Sequence, residues 1–199
     1  ASDDAKALLV NASGLWGLLL AAAEPGAEKP SAEAVRAAVE ADPGAAARPF
    51  ATPAGWKPVE GALVRLRPGL GEKEGLRAGE LATVTWVSEY GDIYLKRDGK
   101  ELDWYFAPAD LAHRFDGWLP LHAAAYFALD KAALLLLLEA HSAAAATTDA
   151  GGQYPFELLP ASASDDAATL LVTACIAASG EGVLWRLLGH AATTGEKPS

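Results

Sequence analysis

The C-terminal part of the chain contains an internal repeat. A repeat restricts the possible folds more than any other pattern in this sequence. The stretch 116–124 is echoed by 151–159, and the prolines of the two stretches, Pro120 and Pro155, stand 35 positions apart. A helical pattern over 131–140 runs between them. Repeats of this length are typical of helical units that bury their apolar faces by stacking on one another.

Residues 1–50 have the same helical character. Apolar side chains occur on most turns from Lys6 to Ala23, and Ser31 stands where the N-cap of a second helix is expected. Pro43-Gly44 ends that second helix. The segment 39–46 resembles the segment 139–145 in sequence, so we expect a degenerate copy of the repeat here.

Between residues 51 and 113 the pattern changes from a helical period to alternation of apolar and polar side chains. The alternating apolar residues are Val64, Leu66, Ala82, Val84, Trp86, Ile93, Leu95, Trp104 and Phe106. Asp98-Gly99 separates two of these runs and is a strong signal for a short hairpin. Four or five short strands in so few residues predict a small, strongly bent barrel.

The opening of the C-terminal repeat, Asp116 to Ala124, resembles the opening pattern of ankyrin repeats, which is Thr-Pro-Leu-His followed by two helices. Pro120, Leu121 and His122 match that pattern, whereas Leu119 replaces the threonine. The resemblance implies a structural role for His122, which would bond within or between repeats. In the second opening, at 154–157, the histidine is missing. The alternating region, which opens at Gly61, resembles SH3-like barrels in pattern.

These patterns predict an α+β protein in which an ankyrin-type α-helical repeat stack is interrupted by a small SH3-like β-barrel. The matching phrases of the two helical regions lie 99 positions apart, about one repeat plus the length of the alternating region. We therefore expect N-terminal helices with a degenerate repeat over 1–50, an inserted barrel over 51–113, and repeats with C-terminal helices over 114–199. Surface loops tolerate insertions of this kind.

Charge and composition argue against several functions. The formal net charge of −10 repels phosphate backbones, so nucleic acid is a poor partner. The four histidines, at 113, 122, 141 and 190, lack metal-ligand spacing, and the single Cys175 excludes an internal disulfide. Asp165-Asp166 follows Ser164 at the start of a helical pattern, which favours an N-cap over a catalytic pair. We find no catalytic constellation and predict no enzyme activity, no metal and no cofactor.

No apolar run approaches the length needed to span a membrane, although peripheral association stays compatible with the sequence. Asp3 and Asp4 stand where a signal peptide would carry positive charge. The chain starts at Ala1 and contains no methionine, which is typical of a processed form. We expect an intracellular location, with a plastid or a mitochondrion among the candidate compartments.

Two sets of residues are candidates for binding a protein partner. On the repeats, finger loops and first helices usually carry the contacts, which indicates Arg114, Phe115, Trp118, Tyr126 and Phe127. On the barrel, alternation directs Trp86 and Trp104 to the core and turns Tyr94 and Tyr105 outward, beside Lys96 and Arg97.

Both sets have a structural alternative. The barrel tyrosines could instead pack within the barrel or form a seam against the repeats. Trp118 could be an anchor for a partner or a lid on the inserted barrel, and the sequence favours neither.

The function expected from these patterns is that of a non-enzymatic protein-interaction module, acting as a scaffold or as an accessory subunit of a larger complex. An organellar complex, such as one of a plastid membrane, is one version of this hypothesis. The alternative is the targeting or substrate-recognition part of a ubiquitin-ligase-type enzyme or another signalling adaptor, in which ankyrin repeats and SH3-like barrels can occur together.

Overall fold

The fold was analysed in a computed structural model, which describes residues 14–22, 26–53, 55–67 and 70–179, without the side chains of residues 103 and 104. The helices of this part are α1 (Gly14–Ala21), α2 (Ala32–Ala41), α3 (Pro120–Tyr126), α4 (Lys131–Ala140) and α5 (Asp165–Ser179). The strands are β1 (Leu63–Leu66), β2 (Glu72–Lys73), β3 (Leu76–Arg77), β4 (Leu81–Val87), β5 (Ile93–Arg97), β6 (Lys100–Phe106) and β7 (Leu111–His113). The α+β class is thereby confirmed.

The helices form two rows. The inner row contains α1, α3 and a 3₁₀ helix, Pro155–Leu158. Along this row α1 contacts α3, and α3 contacts the 3₁₀ helix; α1 also packs on α2, and α3 on α4. The outer row contains α2, α4 and α5, in which α4 packs between the other two. A single apolar core joins the rows. The helix predicted after residue 182, with Trp185, lies outside the described residues.

Each outer helix begins with a side chain that caps its first turn. The Ala34 N–H donates to Ser31 Oγ at 3.2 Å at the start of α2. Asp130 and Ser164 accept from the third residue of their helices, at 2.8 Å and 3.3 Å. The predicted N-caps Ser31 and Ser164 are thus confirmed, and Asp165-Asp166 fill the first turn of α5.

The inner row repeats a different device, a side chain that bonds to the backbone just before a proline. His122 Nδ1 accepts a hydrogen bond from the Leu119 N–H at 3.2 Å. Thirty-five positions later, Glu157 Oε2 accepts from the Tyr154 N–H at 2.8 Å. Glu157 therefore performs the local role of the histidine that is missing from the second opening.

The strands form one five-stranded antiparallel sheet in the order β6-β5-β4-β1-β7. The short β2–β3 hairpin lies in the connection between β1 and β4, and a 3₁₀ turn, Pro108–Asp110, precedes β7. Asp98 and Gly99 join β5 to β6 with φ values of 52° and 79°. These positive angles are those of the predicted tight hairpin turn.

One inner face of the sheet carries its own core of buried side chains, as alternation predicted for Val64, Leu66, Val84, Ile93 and Leu95. Trp86 was expected in this core, and that expectation is wrong, because Trp86 is 51% exposed. The pairing register of β4 with β5 shifts between Val84 and Trp86. A shift of one residue turns the following side chains to the opposite face.

The two ends of the sheet region lie side by side against the helices. Thr52 Oγ1 donates to Asp116 Oδ1 at 2.6 Å and accepts from the His113 N–H at 3.0 Å. The Phe50 N–H donates to the Trp118 carbonyl at 2.7 Å in the same place. The chain therefore leaves the helical part and returns to it at one point, as an inserted segment requires.

Candidate interaction surfaces

Three aromatic rings stand in a row on the outer face of the sheet. Trp86 on β4 pairs with Tyr94 on β5, and Tyr94 pairs with Tyr105 on β6. Ring centroids are 4.9 Å apart for Trp86 and Tyr94, and 6.4 Å apart for Tyr94 and Tyr105. Trp86 is 51% exposed and Tyr105 is 48% exposed. We call these three residues the aromatic ridge.

The ridge is a surface feature that costs free energy in water. Aromatic side chains left half-exposed keep apolar area hydrated, and contiguous patches of this kind mark interaction sites more often than scattered residues do. Tyrosine and tryptophan also combine a rigid apolar body with a polar group, which explains their enrichment at protein interfaces. Predicted residues Tyr94 and Tyr105 are therefore placed where a partner could reach them.

The two predicted cations near the ridge behave differently. Lys96 is exposed on β5, opposite Glu101 of β6. Arg97 is occupied inside the chain, because its Nη1 donates to the Gly75 carbonyl at 2.6 Å and to Glu80 Oε2 at 2.7 Å. The backbone N–H of Arg77 and the Arg97 guanidinium lower the pKa of Glu80. Arg97 therefore stabilises the β2–β3 hairpin, and its side chain keeps 37% of its area exposed.

The five residues predicted on the repeat face come together, and two of them lie in the interior. Phe115 is 1% exposed and Trp118 is 2% exposed, so in this conformation neither presents a surface to a partner. The ring centroids of Phe115 and Trp118 are 4.9 Å apart, and those of Tyr126 and Phe127 are 5.3 Å apart. The Arg114 guanidinium lies over the Phe115 ring, with its Cζ 4.4 Å from the ring centroid. We call these five residues the buried cluster, of which Tyr126 is the exposed member.

A buried ion pair at the edge of this cluster joins the sheet to the helical part. Arg65 on β1 stands between the apolar Val64 and Leu66, yet it is buried as well, and its Nη2 donates to Asp149 Oδ2 at 2.8 Å. Its Nε and Nη1 donate to the carbonyls of Arg114 and Gly79, at 2.7 Å and 2.8 Å. Burial lowers the pKa of Arg65, and the Asp149 carboxylate opposes that decrease.

The Asp149 carboxylate accepts hydrogen bonds from several donors. Besides Arg65, the Trp118 indole Nε1 donates to its Oδ2 at 2.9 Å. The N–H groups of Gly151 and Gln153 donate to its Oδ1. Trp118 is thereby held under the sheet, which favours the lid over the anchor. Sequence reasoning missed Asp149, since a lone acid in a turn gives no signal of its partner in a distant strand.

The backbone approaches closely at the same junction. Gly79 has a φ of +82°, and a Cβ added there would lie 2.2 Å from the carbonyl oxygen of Ala150. Both the angle and the space therefore require glycine at this position. The turn after β3 and the turn at 149–152 consequently fit against each other without intervening side chains.

Two histidines are buried and neutral near neutral pH. Burial, with a smaller effect of Arg114, lowers the pKa of His113 to about 3. Burial also lowers the pKa of His122, against the opposing effect of Asp149. Within the described ranges, no group of three histidine, cysteine, aspartate or glutamate residues could hold a metal ion. Both histidines therefore act as packing and hydrogen-bonding groups.

Comparison with known proteins identifies no family for this chain. No protein-family model, no curated protein and no solved structure matches it. In the part of the chain that the structure describes, every helix is too short or too polar to cross a membrane.

Proposed function

We propose that this chain is a non-enzymatic protein-interaction module, built from ankyrin-type repeats and an inserted SH3-like barrel, and that the aromatic ridge is its main contact surface. The observation that carries the proposal is the exposure of Trp86 and Tyr105 at the two ends of a continuous row of rings. In this function the buried cluster and the Arg65–Asp149 pair hold the two regions together, and the ridge contacts the partner.

Several features support the ankyrin-type part of the proposal. Pro120 and Pro155 each occupy the first turn of an inner helix, where proline loses no hydrogen bond. The bond from the Leu119 N–H to His122 is local and buried, as the resemblance implied for this histidine. The two rows of helices pack on one another in the stacked arrangement that such repeats need, and each outer helix begins with a side-chain cap.

The SH3-like part is supported by the sheet. Its five strands are short, antiparallel and wrapped around one small core of their own. The hairpin turn at Asp98-Gly99 and the register shifts in β4 and β5 give such a sheet the strong local bend that a small barrel requires.

The ridge suits a protein partner because its rings are already ordered. Each ring packs on the next across hydrogen-bonded strands, so little side-chain entropy is lost when a partner covers them. Aromatic residues in such central positions often contribute 2 kcal/mol or more to binding, which is roughly a 30-fold change in affinity. We propose that the partner is a subunit of a larger complex, to which this chain is an accessory subunit or scaffold.

The test compares one double variant and one single control variant with the wild type in the source organism. The variant Trp86→Ser with Tyr105→Ser removes both exposed ends of the ridge, and Leu135→Ser removes an apolar side chain that is 37% exposed on α4. We expect the wild type and Leu135→Ser to co-migrate with a defined complex on size-exclusion chromatography and to recover its subunits in constant ratio. The ridge variant should run as a folded monomer.

Two results would count against the proposal. A ridge variant that enters the complex as well as the wild type would show that the ridge is not the contact surface. A wild-type chain that recovers no protein in constant ratio, while turning over a small molecule, would contradict the non-enzymatic role itself.

A further inference from the structure

A cleft separate from the aromatic ridge opens where the chain enters the sheet region. It has a volume of about 430 Å³ and lies between residues 52–53 and 55–57 on one side and the 3₁₀ turn before β7 on the other. Trp56, Pro53 and Pro108 supply apolar walls, and Lys57 and Arg67 supply the charged groups. Trp56 packs against both the helical core and the sheet core, so one wall of the cleft is fixed by both regions.

The charge of this cleft is opposite to that of the chain. Its two charged lining residues are cations, although the chain as a whole has a formal net charge of −10. Arg67 Nε is buried and has no hydrogen-bond partner among the described residues. A buried donor left without a partner is costly, and native proteins rarely retain one without a use for it.

Asp110, whose backbone bonds to Arg67, directs its carboxylate to other donors. Asp110, at the end of the 3₁₀ turn, accepts from Lys73 Nζ at 2.5 Å and from the Ala107 N–H at 3.1 Å, both on Oδ2. Arg67 meets Asp110 through the backbone alone, since the Arg67 N–H donates to the Asp110 carbonyl at 2.9 Å. Among the described residues no ion pair is formed by Arg67, so its charge can be neutralised by a carboxylate from outside them.

We propose that this cleft binds a carboxylate of an acidic segment in a partner protein. Arg67 would donate to the carboxylate, Lys57 would add a second positive charge, and Trp56 with the two prolines would cover the apolar part of the segment. The planar guanidinium matches the geometry of a carboxylate. This site goes beyond the proposed function because it shares no residue with the ridge, so either can fail without the other.

The direct test is an NMR titration of the isotope-labelled full chain. The probe is the pentapeptide Ala-Glu-Leu-Glu-Ala with both ends capped, and the signals followed are the Trp56 indole N–H and the Arg67 Nε–H. We expect both signals to move in a saturable way. The same peptide with glutamine for glutamate should leave them unchanged. The glutamine peptide with a free C-terminal carboxylate then distinguishes a side-chain carboxylate from a chain terminus as the source.

Matched charge variants separate a built site from general attraction. Arg67→Gln should weaken binding about tenfold, which is the loss expected for one charge-assisted hydrogen bond, and Arg67→Lys should restore part of it. Arg36→Gln removes the same charge from the exposed surface of α2 and should leave the affinity unchanged. Amide spectra of each variant verify the fold.

Three outcomes would overturn the proposal. The first is the absence of saturable shifts at Trp56 and Arg67 with the glutamate peptide. The second is equal binding of the capped glutamine peptide, which would show that charge plays no part. The third is an equal loss of affinity in Arg36→Gln and Arg67→Gln, which would reduce the effect to net charge.

Discussion

The two aromatic groups of this protein each contain a tryptophan, but the two tryptophans have opposite environments. The buried cluster places Trp118 under the sheet with its indole Nε1 bonded to Asp149. The aromatic ridge places Trp86 on an open face, packed on Tyr94 along one side. A buried tryptophan needs a hydrogen-bond partner, and a half-exposed one can use water or a binding partner. The first group therefore contributes to stability and the second is available for binding.

The difference also shows what holds the sheet to the helices. The buried cluster is contiguous with the Arg65–Asp149 pair, which crosses from β1 to the turn at 149–152. The ridge has no such connection, since its ring contacts run along the sheet itself. Changes in the buried cluster should therefore loosen the junction, whereas changes in the ridge should leave the fold intact.

The largest expected difference is between two tryptophan substitutions. Trp118→Ala should lower the free energy of unfolding by about 5 kcal/mol, because it opens a large cavity and leaves a carboxylate oxygen of Asp149 short of a donor. Trp86→Ala should cost at most about 1 kcal/mol, the worth of a cross-strand pair. Urea unfolding of both variants measures the contrast. Equal losses would mean that the two environments do not differ as described.

A second contrast compares two aspartates that pair with cations. Asp149→Ala should cost about 3–5 kcal/mol, because it leaves the buried Arg65 guanidinium without its counter-charge. Asp166→Ala breaks the exposed pair with Lys131 and should cost no more than about 1 kcal/mol. Thermal unfolding at constant pH measures both. If Asp149→Ala is as mild as Asp166→Ala, the pair does not hold the junction.

The third prediction is a loss of folding stability at acidic pH. It depends on His113, which lies where the chain re-enters the helical part. The pKa of this histidine is about 3 in the folded protein and ~6.5 when unfolded. Between these values the unfolded chain holds one more proton, so stability is full above pH 6.5 and falls as the pH decreases. The loss should reach about 2 kcal/mol between pH 7.5 and pH 5.

The control for this titration is His113→Gln. Carboxylates and His122 titrate in both proteins, so the difference between the two stability curves isolates His113. We expect the variant to lose about 2 kcal/mol less than the wild type over the same pH interval. Parallel curves would show that His113 is protonated as readily in the folded protein as in the unfolded chain.

The sequence predicted the regular elements well, because periodicity and caps are local signals. The helix at Lys131–Ala140, the N-caps Ser31 and Ser164, and the turn at Asp98-Gly99 follow from residues within a few positions of one another. The outward direction of Tyr105 was also correct, since it depends on alternation within one strand.

The failures have non-local causes. Trp86 was assigned to the core because alternation cannot register a shift that arises from pairing with β5. Alternation gives no sign that Arg65 is buried, because its partner, Asp149, stands in a turn 84 positions away. For Trp118 the sequence left an anchor and a lid equally open, because the choice depends on Asp149 and Arg65, which lie outside its own repeat opening.

The smallest expected effect tests the equivalence of His122 and Glu157 along the inner row. Glu157→Ala should lower the free energy of unfolding by about 1 kcal/mol, since the Tyr154 N–H loses its acceptor at the start of the 3₁₀ helix. Glu157→Gln keeps an oxygen in place and should retain most of that stability. Urea unfolding at neutral pH measures both variants. Equal losses in the two would mean that the charge of Glu157, and not its role as an acceptor, stabilises this opening, and the parallel with His122 would then fail.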